Sequence, residues 1–138
     1  MVIMVYRRLL GVNIQFIKDF INKNGGRNAF FGKSMIQIYK EFIYTIKNQE
    51  NMNESLCEID IKSHNNINNI GISSWLINYS LHYYFLEVID SIENYFNYIH
   101  NNDVDKINKE ILWMDLFSCP IHDEDTIHGV IPSYVAGW

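Results

Sequence analysis

The chain has 138 residues, 48% of them hydrophobic and 20% charged, with a formal net charge of −5. That is the composition of one globular domain, and it excludes a disordered tail and a nucleic-acid-binding basic protein. Two cysteines, Cys57 and Cys119, are too few for a disulfide framework. They read as free thiols in a reducing compartment.

The opening run MVIMVYRRLLGVN carries its two arginines after the apolar residues, which is not the order of a secretory leader. No stretch comes near 18 uninterrupted apolar residues, so no membrane-spanning helix is expected and a cytoplasmic location is the default. Residues 1–10 fit an arm or a strand, with VIMVY as its centre.

From about Asn13 to Asn24, Ile14, Ile17 and Ile21 recur at helical spacing beside Phe16 and Phe20, and Gly25-Gly26 supplies the stop. A second helix is predicted from Ser34 to about residue 48. Ser34 and Gln37 make a capping box, and Met35, Ile38, Tyr39, Phe42 and Ile46 form its stripe. Cys57, Ile59 and Ile61 alternate with Glu58, Asp60 and Lys62, which predicts a half-buried strand pairing with VIMVY or with the tail segment GVIPSYV. The polar run SHNNINN then reads as a loop.

The longest predicted helix covers residues 74–100. Leu81, Phe85, Val88, Ile89, Ile92, Phe96 and Ile99 make its wide apolar stripe, and its first third is apolar nearly all round. His100 to Asp103 is a turn, with Asn102 or Asp103 capping a last helix to about Phe117. Pro120 ends that helix, and residues 118–138 read as an irregular strap. The expected architecture is therefore mainly α: residues 1–138 as a single compact bundle of about four helices, with room for one short strand pair.

Candidate chemistry is sparse. Cys119, His122 and His128 are competent metal ligands, and Asp123 or Asp125 could complete a set, but structural zinc sites pair their ligands at short spacing and these do not. They stand as the alternative reading, a metal-binding protein or enzyme. Asp103 and Asp105 begin like a calcium loop, yet Ile107 and Asn108 occupy the positions that need an oxygen ligand and a glycine. FGKS at 31–34 lacks the upstream glycine of a phosphate loop, where Arg27 stands instead. No cofactor is expected.

Charge is divided unevenly. Residues 1–62 sum to +3 and residues 63–138 to −8. Acids cluster as Asp103, Asp105, Glu110, Asp115 and the run Asp123, Glu124, Asp125, with Trp113 among them. Tyr83, Tyr84, Tyr95, Tyr98 and Trp113 cannot all point inward from helices that also bury aliphatic seams. Exposed aromatics among carboxylates make a surface suited to basic side chains.

In this acidic character, carried by Asp123, Glu124, Asp125 and by Asp103, Asp105, Glu110 and Asp115, the chain resembles bacterial immunity proteins of contact-dependent and other polymorphic toxin systems. The resemblance implies a non-catalytic inhibitor that neutralises a cognate basic toxin domain, often a nuclease; the acidic field itself argues against nucleic acid and membranes as partners. A further expectation is a viral or phage helical bundle that grips a host helix through the Trp75–Phe85 region. Oligomeric state is left open.

Overall fold

The computed structural model describes residues 10–119. Among them are seven helices and a four-stranded mixed sheet, 55% helix and 11% strand. The expected helical bundle is thereby corrected to a mixed α/β fold, in which four of the helices have seven or more residues.

The chain enters as β1 (Leu10–Val12) and turns into α1 (Ile14–Lys23). Asn13 caps α1, its side chain accepting from Phe16 N at 2.9 Å. Short α2 (Arg27–Phe30) follows the two positive-φ glycines Gly25 and Gly26. Helix α3 runs without a break through Met35–Ile38, a π-helical turn Tyr39–Ile43, and Tyr44–Gln49. Its Ser34–Gln37 capping box is formed, with Ser34 N donating to Gln37 Oε1 at 2.8 Å.

Cys57 to Ile61 is not a strand. It belongs to α4 (Leu56–His64), opened by a second capping box in which Ser55 N donates to Glu58 Oε1 at 3.0 Å. The alternation of apolar and polar residues was outweighed by this cap, and Asn65 in the left-handed region closes the helix. The proposed partner segments VIMVY and GVIPSYV lie outside the described residues.

The sheet has the order β2-β1-β4-β3. Strand β2 (Ile70–Ile72) pairs antiparallel with β1, and β4 (Leu112–Trp113) does so on the other side, while β3 (Trp75–Leu76) runs parallel to β4. Two further expectations fail here. Residues 74–84 are not helical: Ile111 O accepts from Trp75 N and Trp113 O from Ile77 N to form β3 and the chain after it, and residues 80–83 then make a turn. Residues 103–117 break into α6 (Val104–Ile107), β4 and α7 (Asp115–Ser118), because Leu112 is held between Val12 and Trp75.

The remaining long helix, α5 (Phe85–Ile99), buries Phe85, Leu86, Ile89 and Phe96. Edge-to-face and stacked phenylalanines tie the layers together. Phe117 meets Phe16 and Phe20 at 5.7 and 5.4 Å, and Phe30 lies 4.7 Å from Phe42 and 5.4 Å from Phe85. Such pairs add about 0.5–1.5 kcal/mol each beyond area burial. No helix among the described residues is long and apolar enough to cross a membrane.

Candidate functional site

Helix α5 keeps one face open. Tyr84, Glu87, Ser91, Asn94, Tyr95 and Tyr98 are all exposed, and they recur at three- and four-residue spacing. Tyr98 is 82% exposed, and Tyr84 and Tyr95 are 51%. The row is about 20 Å long at 1.5 Å per residue. Tyr95 is steadied from below by Trp75, ring to ring at 6.1 Å.

Beyond its C-terminal end, the turn at Asn101 and Asn102, both with positive φ, leads to Asp103. Asp103 caps α6 by accepting from Asp105 N and Lys106 N at 3.1 and 3.3 Å, and Asp103, Val104 and Asp105 are exposed. At the N-terminal end, Phe31 is 80% exposed beside Tyr84 in a concavity of about 390 Å³ that also contains Arg27, Gly32, Leu86, Glu87 and Asp90.

The acids named from the sequence do not act together. Asp103 and Asp105 are on the surface as expected. Glu110 instead accepts from the Trp75 indole and faces His100 Nε2 at 3.3 Å, so it fastens β3 to the α5–α6 turn. Asp115 accepts from the Tyr79 hydroxyl, and burial raises its pKa to about 6. Trp113 is 3% exposed and belongs to the interior, not to a contact surface. Asp123, Glu124 and Asp125 lie outside the described residues.

Tertiary pairing also moderates the charge asymmetry. Asp90 takes a two-point fork from Arg27, and Glu93 pairs with Lys18, so cations of the first half meet acids of the second. Glu87, Asp103 and Asp105 remain as carboxylates of residues 85–105 without a cationic partner among the described residues.

The alternative centre is split. Cys119 is fully buried, His122 and His128 lie outside the described residues, and among the described residues no group of three His, Cys, Asp or Glu could hold a metal. Neither thiol is in a disulfide and both are buried; Cys57 lies beside Ser118, and burial raises its pKa strongly. Near Cys119 the interior holds Lys47, fully buried with its pKa pushed down to about 8, and Tyr39, pushed up to about 12. In both, burial is the leading cause.

A second groove, of about 250 Å³, has Phe16, Phe20, Leu56 and Ile59 at its base. At its rim, Asp60 takes His64 Nδ1 at 3.0 Å and Asn66 Nδ2 at 2.8 Å. Both carboxylate oxygens are thereby engaged within the α4 end, which makes the arrangement a clasp on the helix terminus.

Phe31 and Glu87 were not singled out from the sequence. Helical spacing from Tyr84 to Tyr98 was the available signal, and it was hidden by placing the start of α5 at residue 74 instead of Phe85. No family model, curated protein or solved structure matches this chain.

Proposed function

We propose that this chain is a protein-binding inhibitor that meets a basic partner through the open face of α5, in the manner of toxin-immunity proteins. One observation carries the reading: Tyr84, Tyr95 and Tyr98 stand exposed in a single row with Glu87 in it, and the exposed Asp103 and Asp105 follow just after the helix ends. Tyrosine supplies large contact area at little cost in side-chain entropy, and it is enriched at the energetic centres of interfaces. Carboxylates at the edge accelerate encounter with a cationic surface and set its orientation.

The contact surface proposed from residues 103–125 is accordingly moved. Asp103 and Asp105 stay in it, Glu110, Asp115 and Trp113 leave it, and the tyrosine row becomes its centre. A cognate toxin domain of opposite charge, acting in the cytoplasm, is the partner this surface fits.

The test is affinity capture by the immobilised chain from cells that carry its gene, with the double variant Tyr95→Ser/Tyr98→Ser as control. The expected result is one basic protein encoded beside this gene, retained by the parent chain and lost from the variant. Retention by the variant at undiminished strength, or capture of nucleic acid alone, sinks the proposal.

A further inference from the structure

The concavity at the N-terminal end of the tyrosine row has a more specific chemistry than the row itself. Its lining combines the aromatic residues Phe31 and Tyr84, the buried Leu86, and the polar groups Arg27, Asp90 and Glu87. Arg27 and Asp90 satisfy one another through two hydrogen bonds, Nη1 to Oδ1 at 3.0 Å and Nη2 to Oδ2 at 2.7 Å. The remaining uncompensated charge of the lining is the carboxylate of Glu87.

The walls are held in place by backbone. Phe85 N donates to Lys33 O at 2.9 Å, Met35 N to Tyr83 O at 2.8 Å, and Ile36 N to Leu81 O at 3.0 Å. Directly after Phe31 the chain turns at Gly32, which has a φ of 72° and open space where a side chain would stand. Phe31, at 80% exposure, is thus held out in water by a fixed turn. Two aromatic faces and one free carboxylate around a fixed opening match a planar cation, which stacks on a ring while donating to an oxygen.

We propose that this pocket is the socket for an arginine side chain of the partner, its guanidinium lying against Phe31 or Tyr84 and donating to Glu87. The inference rests on the protein-binding reading and adds the side chain that it recognises. Arginine is favoured over lysine because its flat, weakly hydrated head lays a plane against a ring while presenting a fork of donors to a carboxylate.

The experiment needs no partner. Amide NMR spectra of the ¹⁵N-labelled full chain are recorded against N-acetyl-arginine amide, and separately against N-acetyl-citrulline amide, which has nearly the same shape without the charge. Expected are saturable shifts confined to residues 31–33 and 84–87, with a dissociation constant on the order of millimolar for so small a ligand. Glu87→Gln and Phe31→Ala should each weaken binding about fivefold or more. Both positions are exposed, so both variants should fold, and the spectra themselves report it.

Equal shifts from citrulline, shifts that spread over every acidic surface without saturating, or unchanged affinity in Glu87→Gln would each overturn the proposal. Failure here leaves the Tyr95/Tyr98 capture result standing, and failure of that capture leaves the socket's affinity for a guanidinium unaltered, so the two readings fall separately.

Discussion

Arg27 and Asp90 are 63 residues apart and meet as a matched fork, both guanidinium ends on both carboxylate oxygens. The pair ties the short α2 to the middle of α5, and it does so on the surface, with side chains 59% and 42% exposed. The first prediction is therefore a modest one. Asp90→Asn should cost about 0.5–1 kcal/mol at low ionic strength, falling toward zero in molar salt. Urea denaturation of both proteins at two salt concentrations measures it, and a loss that does not shrink with salt would mean Asp90 acts through packing.

Gly11 sits in the middle of β1, between β2 and β4. A Cβ there would land on Ser73 Oγ and on the Leu112 carbonyl, deep inside van der Waals contact. Because the second obstacle is backbone of a paired strand, it cannot swing aside. Gly11→Ala should destabilise the fold by about 2–3 kcal/mol or more, by prying β4 from β1. Thermal melting reads this directly, and an unchanged midpoint would contradict the β1–β4 pairing.

Asp115 gives the protein a pH dependence of defined sign. Its folded pKa is raised by burial from the ordinary 3.8 to about 6. The unfolded chain therefore loses this proton near pH 4, and the folded chain keeps it until about pH 6. Stability from this group is fully present below pH 4 and declines as pH rises to 6, by on the order of 2 kcal/mol. Asn retains an oxygen for the Tyr79 hydroxyl, so Asp115→Asn should flatten that part of the pH profile. Parallel slopes in parent and variant between pH 4 and 6 would refute the assignment.

Lys47 works in a higher window. Burial lowers its folded pKa from 10.5 to about 8, against smaller raising effects of Cys119 and Glu58. Across that interval the unfolded chain holds the proton and the folded chain does not, so stability gained from this group rises with pH. Tyr39 and Cys57, whose folded pKa values are raised, act in the opposite sense at the alkaline end. The clean observable is thus a difference: parent stability minus that of Lys47→Met should climb from pH 8 toward 10.5, by on the order of 3 kcal/mol. A flat difference would show that the ammonium is not desolvated in the folded state.

Some of this was legible locally. The Ser34 box, the cap and glycine stop of α1, and the Asp103 cap each needed only residues within one turn of themselves. The Ser55–Glu58 box was equally readable, but a period-two pattern in Cys57–Lys62 competed with it. A hydroxyl and a carboxylate that satisfy two helix-end donors outweigh so short an alternation. Trp75 to Tyr84 misled for a different reason. An apolar run of that length is ambiguous between a buried helix and extended chain, and the decision was made by acceptors at Ile111 and Trp113, far along the sequence.

The candidate face shows the same division. That the tyrosines could not all be buried followed from counting apolar positions, and Tyr83, Tyr84, Tyr95 and Tyr98 are indeed exposed while Trp113 is not. Which carboxylates stay free did not follow, because an acid's fate depends on what is brought opposite it.

By itself, then, the order of residues determined α1, α3 and the later part of the α5 region in outline, the net sign of the charge and the surplus of aromatic side chains. These are properties of composition or of neighbours within a turn. The sheet, the end of each interrupted helix, the pairing of Arg27 with Asp90 and Lys18 with Glu93, and the interior roles of Glu110 and Asp115 were settled by tertiary structure. Apart from His100, ten residues before Glu110, their partners come from 35 to 100 residues away, and a hydrogen bond or ion pair at that separation is set by how the layers pack, not by any local preference.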